Sequence, residues 1–105
     1  MNIQVQFSIP DAATATKIAN ILINERLAAC VQTIGPIIST YHWEGQVEQG
    51  EEYLCLVKTT KDLYAALEKR IVALHPYEVP EIIGTAISLG LPAYLKWIQS
   101  ETARD

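Results

Sequence analysis

The stretch Ile37-Ile38-Ser39-Thr40-Tyr41-His42-Trp43-Glu44-Gly45, returning from Gln46 through Tyr53-Leu54-Cys55-Leu56-Val57 to Thr59, decides the fold. It reads as two β-strands joined at Glu44-Gly45 into one long ribbon. β-Branched and aromatic residues suit a pleated surface, and glycine lets a turn residue take positive φ at little steric cost. Glu-Gly is a weaker two-residue turn signal than Asn-Gly, so a type I turn closed by a glycine bulge is the expectation. The return limb does not alternate: Tyr53 to Val57 is apolar throughout, the pattern of a strand buried on both faces. A chain of 105 residues holds too few helices to cover both faces of a sheet. The second face is therefore expected to meet something outside the chain, and another copy is the simplest cover.

Outward from the ribbon, the chain reads as one domain over residues 1–105. Asn2 to Ile9 alternates, with Ile3, Val5, Phe7 and Ile9 on one face, as a half-buried strand does. Pro10-Asp11 ends it, and Asp11 suits a helix N-cap. Ala15, Ile18, Ala19 and Leu22 then fall on one helical face, ending near Glu25-Arg26. Leu27 to Ile34 is the second strand, interrupted at Gly35-Pro36 by a bulge or kink before it resumes in the ribbon. Gln49-Gly50 is a candidate for a matching irregularity. Thr60 is a candidate N-cap for a second helix, whose stripe is Leu63, Leu67, Ile71 and Leu74 and which stops before Pro76. His75 to Glu81 (HPYEVPE) is an extended, ordered loop, Ile82 to Leu89 a fourth strand, and Leu91-Pro92 opens a short last helix.

The order β-α-β-β-α-β followed by a helix is the ferredoxin-like α+β sandwich, with an antiparallel sheet and both main helices on one face.

Half the residues are hydrophobic and 19% are charged, the balance of a globular chain. The net charge of −4 argues against nucleic acid or an anionic membrane surface as a partner. No apolar run approaches the roughly 18 residues of a span, and the N-terminus lacks a basic-then-apolar leader, so a cytoplasmic protein is expected. If Trp43 faces Gln46, Cys55 lies opposite Ile34, about 13 Å along the strand from Cys30. That exceeds the roughly 7 Å Cα limit for a disulfide, so two free thiols are expected.

Chemistry is sparse. There is no C-x₂-C or H-E-x-x-H spacing, no glycine-rich phosphate loop and no G-x-S-x-G elbow. No catalytic residue is assigned and no cofactor is required. His75 follows a helix C-terminus and precedes a loop carrying Tyr77, Glu78 and Glu81. It is either a metal ligand or acid-base group working with a carboxylate, or a structural histidine at the helix end or a subunit joint. His42 is read as a solvent or interface residue. Cys30 is either a soft ligand or a small hydrophobe. Glu44, Glu48, Glu51 and Glu52 could attract divalent cations through oxygen ligands, but are read first as a solvated charge cluster guarding the ribbon. Lys58 is expected to pair with Glu78 or Glu81, or to bind an anion. Tyr41, Trp43, Tyr77, Tyr94 and Trp97 supply aromatic area of the kind interfaces use.

LAACV (27–31), YHWEGQVEQGEEYLCLVKTT (41–60), HPYEVPEI (75–82) and YLKWI (94–98) together resemble the CutA divalent-cation tolerance proteins, over essentially the whole chain and in the same order. The resemblance implies a ferredoxin-like fold, a tight homotrimer whose long ribbons pair between subunits, and an architecture similar to the PII signalling trimers. It also implies tolerance of copper and other divalent cations, with copper binding in some members. His75 matches the histidine of the family's His-Pro-Tyr motif. Phe7 stands where some members have cysteine, Leu74 where some have a second histidine, and Gln46 where lysine is common. The expected metal site is accordingly His75 complemented by Cys30 or Glu78, weak in its hold on copper or another divalent cation. The alternative is a PII-like trimer taking a small effector or partner protein in a cleft near Tyr41, Trp43, Lys58, Tyr77, Glu81 and Trp97.

Overall fold

Alternation in the first segment produces β1 (Asn2–Ile9), the centre of the molecule. Ile3, Val5, Phe7 and Ile9 are buried beneath two helices. A computed structural model, describing residues 1–104, gives the order β1, α1 (Ala12–Asn24), β2 (Cys30–Trp43), β3 (Gln46–Thr60), a 3₁₀ turn (Lys61–Leu63), α2 (Tyr64–Leu74), β4 (Ile82–Ala86) and α3 (Pro92–Glu101). The four strands form one antiparallel sheet in the order β2-β3-β1-β4. This is the ferredoxin-like α+β architecture.

The helices start and stop for local reasons. Asp11 caps α1 by accepting the Thr14 N–H at 2.8 Å and the Thr14 hydroxyl at 2.9 Å. Ala15, Ile18 and Leu22 of α1 and Leu67 and Ile71 of α2 bury the stripe that helical spacing anticipates. Thr60 does stand at the start of the second helical region, but its side chain makes no capping bond. The backbone N–H of Lys61 instead donates to the Met1 carbonyl at 2.9 Å.

Several boundaries differ from the expectation. The second strand starts at Cys30, not Leu27, because Arg26 takes a left-handed φ of 56°. The following N–H groups of Leu27 and Ala28 then turn back onto the Leu22 carbonyl, and both side chains enter the core. The strand runs unbroken through Gly35-Pro36, where a bulge places two residues of β2 against Tyr53 alone. Gly35 is required there: a Cβ would lie 2.5 Å from the Tyr53 ring. Gln49 and Gly50 pair regularly with Thr40 and Ser39, so the second irregularity does not occur. β4 ends at Ala86 rather than Leu89, because its partner β1 has run out. The ribbon turn has φ of 48° at Glu44 and 78° at Gly45. Two successive positive values make it a two-residue type I′ turn, the hand that matches strand twist, instead of a bulged type I turn.

The bulge also corrects the cysteine register. Cys55 lies opposite Thr33, three positions from Cys30, or about 10 Å along the strand. Both thiols are free, and Cys55 is fully buried.

The sheet's second face is not wholly bare. Helix α3 lies across its Asn2 end, where the Asn2 side chain donates to the Leu95 carbonyl at 3.0 Å and accepts from Gln99 at 3.3 Å. Ile98 is completely buried by this packing. The rest of that face, including Leu54 and Leu56, has no helix over it.

Candidate functional site

Two features beside the core carry chemistry: the strap His75–Glu81 and the outer face of the sheet. The strap begins where Pro76 forbids further helix, so His75 turns extended at the end of α2 and drops toward the end of β1. There β4 pairs no further than Phe7, leaving the Ser8 carbonyl without a strand partner on that side. The His75 Nε2 lies 2.6 Å from that carbonyl. The Tyr77 backbone N–H donates to His75 Nδ1 at 3.0 Å. An amide can only donate, so Nδ1 is the acceptor and the ring proton sits on Nε2, donating to Ser8. His75 is 8% exposed and its two ring nitrogens are both engaged.

Tyr77 continues the arrangement. Its ring centroid lies 4.9 Å from that of His75, and its hydroxyl donates to Glu52 Oε2 at 3.3 Å. Burial, with the Glu52 carboxylate beside it, pushes the Tyr77 phenol above its ordinary value. Glu52 is only 9% exposed and so is not part of a solvated cluster, unlike Glu44, Glu48 and Glu51. It sits in phase with Leu54 and Leu56 on β3, one residue past the end of β1, where the strap closes over it. Its phase, shared with Leu54 and Leu56, separates it from Glu51 but not from Glu48, which is exposed; the strap over Glu52 makes that second difference. Further along the strap Glu81 accepts from Gln6 at 3.0 Å. Glu78 is exposed and makes no side-chain hydrogen bond among the described residues.

The outer face carries three cross-strand rows. Ile34, Leu54 and Ser8 form one; Gln32, Leu56, Gln6 and Ile83 the next; Cys30, Lys58, Gln4 and Thr85 the third. Ile34 and Ile83 are about half exposed, at 48% and 49%. Lys58 donates to Gln32 at 2.7 Å, so neither Glu78 nor Glu81 is its partner within the chain. Cys30 lies beside Tyr94, whose phenol is raised by burial and by that neighbour. Tyr94 stacks on Trp97 with centroids 5.5 Å apart. Tyr41 and Trp43 are both exposed on the ribbon.

Two of the expected metal ligands, Cys30 and His75, lie apart in one protomer. Cys30 is level with Gln4 of β1, whereas His75 meets Ser8, about 13 Å further along that strand. No group of three His, Cys, Asp or Glu side chains with metal-binding geometry occurs among the described residues. His75 could serve a metal only by giving up Tyr77 or Ser8. The Ser8 carbonyl was the partner sequence reasoning missed, since a backbone acceptor leaves no mark in the residue string.

This is a ferredoxin-like domain with a pinned strap, a half-apolar outer face and, among the described residues, no assembled metal cage. The chain matches the CutA1 divalent ion tolerance protein family over residues 3–101 and belongs to that family. It is 43% identical over 98 residues to the divalent-cation tolerance protein CutA of Thermus thermophilus, covering 93% of this chain and 95% of that one. It is 38% identical over 101 residues to a chloroplastic CutA of Arabidopsis thaliana, covering 96% of this chain but 56% of that longer protein. Among solved structures, CutA of Xylella fastidiosa superposes with a TM-score of 0.95 at 40% identity, covering 97% and 98% of the two chains. CutA1 of Oryza sativa gives 0.96 at 36% identity, covering 99% and 95%.

Proposed function

We propose that this protein serves divalent-cation tolerance as a non-enzymatic homotrimer, in which the outer faces of three sheets cover one another. The observation that carries the reading is the outer face itself. Ile34, Leu54, Leu56 and Ile83 sit in adjoining rows with no helix over them, a surface of the kind that proteins bury against a partner. The divalent-cation tolerance name borne by the Thermus thermophilus relative supports the cellular role. Two free thiols fit a reducing compartment such as the cytoplasm. No helix among the described residues is long and apolar enough to cross a membrane.

Contact with Cu²⁺ or Zn²⁺ is weak in this reading, because a closed transition-metal site takes three or four protein donors and the described residues of the protomer present no such set. Any stronger site draws donors from more than one copy. Calorimetric titration of the purified protein with Cu²⁺ and with Zn²⁺ tests this. Affinity at micromolar or poorer is expected, and a nanomolar site would overturn it.

A further inference from the structure

The homotrimer reading leaves two charges to be accounted for, and the inference here rests on that reading. Lys58 is the one lysine or arginine on any strand of the sheet. It stands half-buried on the outer face, beside Leu56 and held only by Gln32. Glu52 lies on the same face of the same strand and is the most buried carboxylate among the described residues. Its one hydrogen-bond partner among the described residues is the neutral Tyr77 hydroxyl, and that reaches only Oε2. The two ion pairs formed among the described residues are Arg26–Glu101 and Arg70–Glu25, so neither Lys58 nor Glu52 has an ion-pair partner among those residues.

They cannot find each other in cis. They stand six positions apart on β3, about 20 Å of strand. The bulge lies on β2, so β3 keeps its alternation and both side chains stay on one face. When the apolar rows between them are covered, water is removed from both charges. A buried charge left without an opposite charge is strongly unfavourable, whereas a paired one is tolerated and fixes register.

We propose that Lys58 of each copy pairs with Glu52 of the partner subunit, so that copies recognise one another through a charge pair flanking the Leu54 and Leu56 rows. Glu81 is the weaker candidate for this role, being exposed and already engaged by Gln6. The pairing is reciprocal around a ring: every copy gives one lysine and one glutamate. It sets which rows face each other, which apolar contact alone leaves free to slide.

A double-mutant cycle on the full chain tests this, read by sedimentation velocity across a dilution series. Lys58→Glu and Glu52→Lys are each expected to weaken association at least tenfold, since each places like charges together. The double reversal, Lys58→Glu with Glu52→Lys, is expected to recover most of the loss. Lys58→Met, Glu52→Gln and their combination form a second cycle in which Tyr77 keeps its acceptor, for use where a reversed charge disturbs folding. Single variants that associate as well as the parent, or double variants whose losses simply multiply, would overturn the pairing. Coupling of Lys58→Met to Glu81→Gln instead of Glu52→Gln would overturn it equally. A parent protein that is monomeric would instead remove the homotrimer reading, a separate outcome seen before any variant is made.

Discussion

His75 and Ser8 are joined by a 2.6 Å hydrogen bond from the imidazole Nε2–H to a backbone carbonyl that no strand reaches. That bond, with the Tyr77 amide on Nδ1, makes the histidine a pin for the strap. His75→Ala therefore orphans a buried carbonyl and frees an amide. It is expected to cost about 2–4 kcal/mol of stability, measured by urea unfolding, while Cu²⁺ affinity changes little. A stable variant with affinity lowered several-fold would instead mark His75 as a metal ligand.

The ribbon turn offers a stabilising change. Glu44 holds φ of 48°, a region that asparagine tolerates better than glutamate, and Gly45 follows at 78°. Glu44→Asn creates the preferred type I′ pair and is expected to add about 0.5–1 kcal/mol. Gly45→Ala is expected to cost about 1 kcal/mol. Thermal melts of both variants, moving in opposite directions from the parent, check the turn assignment.

Much of this was legible in the sequence, and the failures share a cause. The bounds of β1 and the buried stripes of α1 and α2 follow from side-chain period, which is a local property. The start of β2 was misplaced because Leu27 and Ala28 are apolar for the core without being in a strand, and only the left-handed Arg26 reveals this. Cys55 pairs one residue away from a straight count back from the turn, because the bulge at Gly35-Pro36 adds a residue to β2. Glu52 looked solvated beside Glu51 until the strap was seen to close over it. The Ser8 acceptor could not be read at all, since every residue has a carbonyl and only topology leaves this one unpaired.

Acid should destabilise the fold through Asp11 and Glu25. The Thr14 amide holds the Asp11 carboxyl below its ordinary value, and the hydrogen bonds from Arg70 do the same for Glu25. The unfolded chain therefore takes up these protons first as pH falls. The stability they contribute is present above the ordinary carboxylate range, near pH 4, and is lost as pH drops through the lower folded values. Both groups are exposed, so the effect is modest. Melting temperatures from pH 6 down to 3 should fall less steeply in the Asp11→Asn, Glu25→Gln variant than in the parent.

Burial raises the Cys55 thiol above its ordinary value and shields it in the core. Cys55 is expected to react with a thiol reagent only at the rate of unfolding. Mass mapping after purification without oxidant should find no Cys30–Cys55 bridge. Such a bridge would contradict the register, which sets the two residues about 10 Å apart along the strand.

The central claim is that the outer face is closed by copies of the same chain, and mass in solution tests it most directly. Light scattering on the unmodified protein at low micromolar concentration should return three times the 11.7 kDa of one chain. Leu56→Asp, which places an unpaired charge among the apolar rows, should abolish that species. A stable, well-folded monomer of the unmodified protein at that concentration would contradict the account.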